Sequence, residues 1–182
     1  KLRTSTSADS AAWSRCDDLD APLQDGTRLT GRAGLALLDA MIASRHLDLQ
    51  ARVLKARDAG FYTIGSSGHE GNAAVAAALR PTDPAFLHYR SGAFFLRRAH
   101  QVPGSTPLLD VLLGIVASSD EPIAGGRHKV FGSVELNVPP QTSTIASHLP
   151  KAVGAAFSIA RAKRLGLDLA IPSDSIVVCT FG

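Results

Sequence analysis

The sequence has few of the residues that mark secreted, membrane or nucleic-acid-binding chains. Only 2 of its 182 residues are cysteine, which is too few for a disulfide framework and fits a reducing compartment. No apolar run approaches the ~18 residues that a membrane helix needs. The amino-terminal stretch also lacks the layout of a secretory signal. A membrane location and export are therefore not expected.

The sequence also lacks a large excess of charge of either sign. It has 19 Lys and Arg and 16 Asp and Glu, which gives a net charge of +3. The basic residues are dispersed and are not interleaved with aromatic residues, so nucleic acid is not an expected partner. With 45% hydrophobic and 19% charged residues, the composition is that of a globular chain rather than a disordered one.

Residues 1–29 carry scattered Ser, Thr, Asp and Arg with little apolar periodicity, and we expect an amino-terminal arm or leader there. Their first half partly resembles an organellar presequence, which would be Arg- and Ser-rich. The acidic residues Asp9, Asp17, Asp18 and Asp20 break that pattern. The sequence therefore favours a cytoplasmic location, with the mitochondrial matrix as the alternative.

A long helix is predicted from Thr30 to Ala59, with Thr30 as its cap and Gly60 as its stop. Its apolar residues recur at helical spacing and form one stripe: Leu38, Met41, Ile42, Leu49, Val53 and Leu54.

Shorter helices are predicted further along the chain. Ser67 and Glu70 have the spacing of a capping box and precede an alanine-rich helix that runs from Ala73 to Leu79. Other helix starts are indicated at Ser91-Gly92, at Thr106-Pro107, and at Ser147 before a helix over 148–165 that Gly166 ends.

Two apolar runs predict strands, Phe86–Tyr89 and Ser175–Gly182. The second is continuously apolar and β-branched and follows an alanine-rich helix, which is typical of a parallel sheet buried on both faces. Between the helices, residues 118–146 lack apolar periodicity, and a loop of that length in a compact domain is usually functional or mobile.

Ligands of open parallel sheets bind beyond the carboxyl ends of the strands. At the end of the first predicted strand, the segment His88–Gly92 delivers a phenol and a guanidinium. The paired donors of Arg90 suit a phosphate, and Tyr89 adds another donor. By spacing alone these two residues fit an anion site or a structural role, with Arg90 in an ion pair and Tyr89 at the edge of the core.

The hydroxyl-rich loop 142–150 enters the second long helix. Its carbonyl and hydroxyl groups could hold a cation and its amides a polar ring, whereas the simpler reading is that Ser147 caps the helix. His69 is a possible acid–base residue, and the basic glycine loop 125–129 could meet an anion. The capping-box role of the neighbouring residues explains the His69 segment without catalysis, and the glycine loop is equally well explained as a mobile surface loop. The chain has no zinc spacing, nucleotide fingerprint or hydrolase elbow.

Four segments occur together in a characteristic order: Phe61–Gly65 with Gly68–Gly71, His88–Arg90, Gly126–Arg127, and Ile145–Ala156. This combination resembles the alpha subunit of the thiamine-diphosphate-dependent decarboxylating component of 2-oxoacid dehydrogenase complexes, with the branched-chain type closest. The likeness spans residues 33–182. It implies an α/β fold with a three-layer parallel sheet and helices on both faces, in which residues 30–182 form the front part of the diphosphate-binding domain.

The resemblance also implies roles for individual residues. Tyr89 and Arg90 would bind the terminal phosphate oxygens of thiamine diphosphate. Ser143 would make a polar contact and Ile145 an apolar contact near the aminopyrimidine ring and the bend of the cofactor. Gly182 matches the first glycine of the family's magnesium-binding motif.

No metal ligand is assigned within these residues, because the family's Mg²⁺ ligands would lie beyond Gly182, and the domain is expected to be truncated there. Relatives often hold a structural K⁺ through a glutamine where this sequence has His148. An imidazole is a poor potassium ligand, which argues against that ion here.

The activity implied is that of an oxidoreductase: oxidative decarboxylation of a branched-chain or pyruvate-like 2-oxoacid, with acyl transfer to a lipoyl group. The family's activating glutamate belongs to a beta subunit or a fused beta-like half, so this chain would be incomplete alone and would function in a homo- or hetero-oligomer with a lipoyl-bearing acyltransferase core. The alternatives are the alpha-type subunit of an acetoin dehydrogenase and a non-catalytic assembly module of the same fold.

Overall fold

The computed structural model describes residues 18–63, 65–127 and 130–182. Residues 1–17 of the predicted arm, including Cys16, lie outside the described residues. The elements in chain order are α1 Gly31–Ala56, α2 Asn72–Ala77, β1 Ala85–Phe86, α3 Gly92–Ala99, α4 Pro107–Ile115, α5 Leu149–Leu165 and β2 Val178–Cys179. Within these ranges no helix combines the length and apolar character needed to cross a bilayer.

The chain divides into two compact units, Lys1–Asp39 and Ala40–Gly182. In the first unit, residues 18–30 form a turn-rich segment that an isolated antiparallel bridge between Pro22 and Thr30 closes. An exposed ion pair between Arg32 and Asp20 (2.8 Å) lies in the same unit. The boundary predicted at residues 29 and 30 stays a prediction.

The predicted cap of α1 is confirmed, since Thr30 Oγ1 accepts a hydrogen bond from the Ala33 N–H (3.2 Å). The predicted end at Ala59 is wrong, because the helix ends at Ala56. Asp58 adopts a left-handed conformation (φ 55°), and the Ala59 N–H donates back to the Leu54 carbonyl (2.9 Å). This closing turn satisfies the last helical carbonyls before Gly60 is reached.

The apolar stripe predicted on α1 is not its buried face. Four of its members are exposed: Leu38, Ile42, Leu49 and Val53. The buried residues are Ala40, Ser44, Leu47, Asp48 and Ala51. Two of these are polar, and their hydrogen bonds, described below, make burial of that face possible.

The predicted capping box before α2 is wrong. No side chain caps this helix, which covers only Asn72–Ala77. Glu70 instead accepts a hydrogen bond from the Gly68 N–H (2.8 Å) and approaches Arg45 on α1 (3.5 Å). The ion pair with a distant helix competes with the local cap for the same carboxylate.

The two strands pair in parallel, as predicted, but both are shorter than predicted. Ala85 lies opposite Val178, and Phe86 lies opposite Cys179. Both residues of β1 are buried, both residues of β2 are half-buried, and Phe181 beyond β2 is exposed, so burial of the sheet on both faces stays a prediction. Within the described chain, β1 and α5 are the elements that pack on β2, which leaves it partly uncovered. The three-layer arrangement stays a prediction.

The other helix termini mostly follow the sequence signals. Ser91 and Thr106 precede α3 and α4 as predicted, and Gly166 ends α5 with a left-handed conformation (φ 64°). The predicted cap of α5 is wrong, because His148 is the capping residue and Ser147 Oγ donates to the Thr144 carbonyl (2.9 Å). The hydroxyl is therefore used within the preceding loop.

The core gathers α2, β1, α3 and the loop after α4 around small and aromatic side chains. Its buried members are Ala76, Ala85, Leu87, Phe94, Phe95, Ala99, Val130, Phe131, Leu136 and Val138. A fully buried guanidinium, Arg98, lies against this core and donates from Nη1 to the carbonyls of Asp83 (2.7 Å) and Leu136 (3.1 Å). Burial lowers the pKa of Arg98 to about 10, and nearby Asp83 opposes that shift.

We expect Arg98→Met to lower the free energy of unfolding by about 2 to 4 kcal/mol, because it leaves two buried carbonyls without a donor. Chemical denaturation of the purified variant measures the change. The neighbouring half-buried Arg97 provides the control, because its buried Nε atom has no hydrogen-bond partner among the described residues. Arg97→Met should therefore cost much less. Equal losses for the two variants would contradict the role assigned to Arg98.

Candidate functional site

The residues that follow the two strands converge at the carboxyl edge of the sheet. Beyond the paired residues, the His88 N–H donates to Thr180 Oγ1 (2.7 Å), and the same hydroxyl lies 2.9 Å from Ser91 Oγ. The side chain of Thr180 therefore continues the pairing that the short strands begin. It fixes the turn that carries the sequence-predicted residues Tyr89 and Arg90.

Two further histidines reach this edge. The rings of His69 and His88 lie 5.8 Å apart and are stacked. His148, at the start of α5, has its Nε2 atom 2.7 Å from the Thr180 carbonyl. Because a carbonyl oxygen only accepts, His148 Nε2 is the donor. The start of α5 is thereby tied to the strand edge.

Gly182 lies against the histidine pair. A Cβ at this position would stand 3.0 Å from His69 Cε1 and 3.1 Å from His88 Cε1. A side chain there would displace at least one imidazole, so only glycine lets the backbone pass this closely. Of the five residues predicted to bind the cofactor, the structure brings Tyr89, Arg90 and Gly182 together.

His88 has a defined tautomer. The Arg90 N–H donates to His88 Nδ1 (3.3 Å), so the proton of the neutral ring is on Nε2. The residue is only 3% exposed, and its Nε2 atom has no hydrogen-bond partner within the described parts of the chain. The turn therefore contains a buried N–H donor that lacks an acceptor.

The charge state of His88 follows from its surroundings. Burial lowers the pKa of His88 below its usual value of 6.5. The nearby basic groups of His69, His148 and Arg90 lower it further. The neutral ring is thus favoured in the folded protein.

The Tyr89 ring contacts the rings and side chains on both sides of it, those of His88 and Arg90. The Tyr89 ring lies 3.8 Å from the His88 ring, and Arg90 Cζ lies 5.2 Å from the Tyr89 ring centre. Arg90 Nη1 donates to the Gly65 carbonyl (2.7 Å). The structural alternative predicted for Arg90 was an ion pair, but the partner of its guanidinium is this backbone carbonyl. Both side chains remain half-buried.

The second predicted segment, the loop before α5, is more open. Ile145 is 67% exposed and Ser143 is half-buried. Ala146 has a left-handed backbone (φ 63°) just before the chain enters the helix. In the basic glycine loop 125–129, residues 128 and 129 lie outside the described residues.

Sequence reasoning missed several residues of this edge. Thr180 carries the one hydroxyl within the apolar run Ile176–Phe181, and that exception was the available signal. Asp48 also went unnoticed, because the predicted apolar stripe of α1 does not include it, although it lies on the buried face of that helix. The sequence patterns place His88 only at a strand end, and the resemblance singles out His148 only at the position of a potassium ligand.

In the parts of the chain that the structure describes, no three His, Cys, Asp or Glu side chains come close enough to hold a metal ion. Comparison with protein-family models gives no match for this chain. The chemistry of the edge is therefore read from its donors. The edge carries imidazole, phenol and guanidinium groups, all of which can donate hydrogen bonds to an anion.

The start of α3 after this turn is packed against α1 without space for a side chain. A Cβ on Gly92 would stand 2.5 Å from Ser44 Oγ, which donates to Ser66 Oγ (2.9 Å). We expect Gly92→Ala to lower the free energy of unfolding by about 1 to 3 kcal/mol, because Ser44 must give up that hydrogen bond. Denaturation in the Ser44→Ala background is the control, where the added methyl should cost much less. An equal cost in both backgrounds would contradict this explanation.

The lowered pKa of His88 makes folding depend on pH. Below 6.5 the unfolded chain binds a proton that the folded ring takes up only at lower pH, so stability falls as the pH drops. Between about pH 7.5 and pH 5.5, we expect the Tm of the wild type to fall more than that of His88→Gln. His46→Gln, at an exposed histidine, should retain the wild-type slope. A wild-type slope in His88→Gln would refute the assignment.

Proposed function

We propose that this chain is the alpha-type, diphosphate-binding part of a thiamine-diphosphate-dependent 2-oxoacid dehydrogenase, acting on a branched-chain or pyruvate-like 2-oxoacid. The observation that carries the proposal is the turn after β1, where Tyr89, Arg90 and the unpartnered His88 Nε2–H lie together at the carboxyl edge of two parallel strands. Anionic ligands of parallel sheets bind at that edge.

The donors of the turn fit a diphosphate. The buried His88 N–H lacks an acceptor, and phosphate oxygens accept such hydrogen bonds. Arg90 contributes a planar guanidinium whose paired N–H donors match phosphate oxygens. The Tyr89 hydroxyl has no hydrogen-bond partner among the described residues and adds a neutral donor.

Within this proposal each residue has a distinct task. Arg90 and Tyr89 hold the terminal phosphate, and Gly182 lets the backbone pass beside the histidines without a side chain between them and the ligand. Ser143 and Ile145 contact the ring end of the cofactor from the loop before α5. Thiamine diphosphate supplies the electron sink for decarboxylation, with Mg²⁺ as the counterion of its diphosphate.

A partner chain or fused half completes the site in this proposal, together with a lipoyl-bearing core that receives the acyl group. The outer face of α5 supports such a partner, because Val153 and Phe157 are one helical turn apart and are 70% and 67% exposed. Beside them Gly154 has no neighbour that a Cβ would meet. Exposed large apolar side chains next to a small residue are typical of a helix that packs closely against another chain.

The test is Arg90→Ala in the full-length natural protein. We expect the Kd for thiamine diphosphate, titrated by calorimetry with Mg²⁺ present, to rise about 10- to 100-fold, because a charged hydrogen-bond donor to phosphate is lost. Arg52→Ala, at an exposed arginine of α1, is the matched control and should leave the Kd unchanged. An unchanged Kd in a folded Arg90→Ala protein would remove Arg90 from the site and with it the basis of the proposal.

A further inference from the structure

The peptide group between Gly65 and Ser66 is held from both sides. Its N–H donates to Asp48 Oδ2 (2.9 Å), and its carbonyl accepts from Arg90 Nη1 (2.7 Å). A trans peptide directs its N–H and its C=O in opposite directions. By fixing the direction of the N–H, Asp48 therefore also fixes the direction of the carbonyl that accepts from Arg90.

The carboxylate of Asp48 is itself held by several hydrogen bonds. The same Oδ2 atom accepts from Ser66 Oγ (2.9 Å) and from Arg45 Nη1 (2.7 Å), and the side chain is 8% exposed. The contact with Gly65 is also close, because a Cβ there would stand 3.3 Å from Asp48 Oδ2. Three donors and this backbone contact hold the carboxylate in one place.

The Gly65 carbonyl is the hydrogen-bond anchor of the Arg90 side chain. The long side chain of Arg90 has many rotamers, and the Gly65 carbonyl is the acceptor that its guanidinium uses within the described chain. The ring of Tyr89 restrains the guanidinium further, at 5.2 Å. Stacking on a ring leaves rotation in the ring plane open, whereas the carbonyl fixes the direction of Nη1.

We infer that Asp48 is a positioning residue for the anion site: through the Gly65–Ser66 peptide it sets the direction of the Arg90 guanidinium. That the bound anion is a diphosphate rests on the proposed function, whereas the positioning of Arg90 by Asp48 does not. Asp48 makes no contact with the anion. Its loss weakens binding because Arg90 must then be ordered when the ligand arrives.

The experiment compares Asp48→Asn with Asp83→Asn. Both carboxylates are buried, and both accept a hydrogen bond from a backbone N–H, of Ser66 and of Ile176 respectively. Inorganic pyrophosphate is titrated by calorimetry into each full-length variant, and the guanidinium NMR signals of Arg90 are recorded. We expect both variants to lose stability, but only Asp48→Asn to bind about 3- to 30-fold more weakly and to show averaged Arg90 signals.

A double-mutant cycle separates positioning from general damage. In the Arg90→Ala background, Asp48→Asn should change the pyrophosphate Kd little further, because there is no guanidinium left to direct. An additive loss would overturn the inference, as would Arg90 signals in folded Asp48→Asn that match the wild type. If Asp48→Asn does not fold, Gly65→Ala replaces it, since the added methyl pushes on the same carboxylate and should give the same loss.

The two proposals fail in different ways. Pyrophosphate binding that Arg90→Ala does not weaken would refute the proposed function. The Arg90 signals would still decide the role of Asp48: averaging in Asp48→Asn alone supports it, and unchanged signals refute it.

Discussion

Thr180 joins three segments that are far apart in the sequence. Its N–H pairs with the Phe86 carbonyl, its hydroxyl accepts from the His88 N–H, and its carbonyl accepts from His148. Two-residue strands form few backbone hydrogen bonds, so the sheet alone would hold its edge weakly. The bonds of this one residue extend the parallel pairing and bring the turn at Tyr89 and the start of α5 to the same place.

In the rest of this unit, hydrogen bonds to buried polar side chains also hold distant segments together. Asp48 holds the segment before α2, and Asp83 accepts from the Ile176 N–H ahead of β2. Burial raises the pKa of Asp83, but hydrogen bonds from Arg80 and Ile176 outweigh it and leave the pKa lowered. Its stabilising effect is therefore present above its ordinary pKa and is lost as the pH falls through the lower, folded-state value. Asp48 and Asp83 thus both accept backbone hydrogen bonds, which offsets the cost of burying a carboxylate.

The candidate site was partly accessible from the sequence. Tyr89 and Arg90 could be singled out because a phenol and a guanidinium at a strand end suit an anion, and they lie at such an edge. The partner of Arg90 could not be predicted from the sequence. Arg90 is anchored by the carbonyl of Gly65, and every residue has a backbone carbonyl, so the spacing of side chains does not reveal this acceptor. Likewise, Glu70 had the spacing of a capping residue but approaches Arg45 on another helix.

The sequence by itself determined where α1 and α4 begin and where α5 ends, since the hydroxyl of Thr30, the proline at 107 and the left-handed Gly166 act within a few residues of their own position. It also determined that the strands pair in parallel, through an apolar run after a helix. Only the tertiary structure decided which face of α1 is buried and how short the strands are. Burial of Ser44 and Asp48 depends on donors and acceptors that arrive from distant segments, and those partners exist only once the chain has folded.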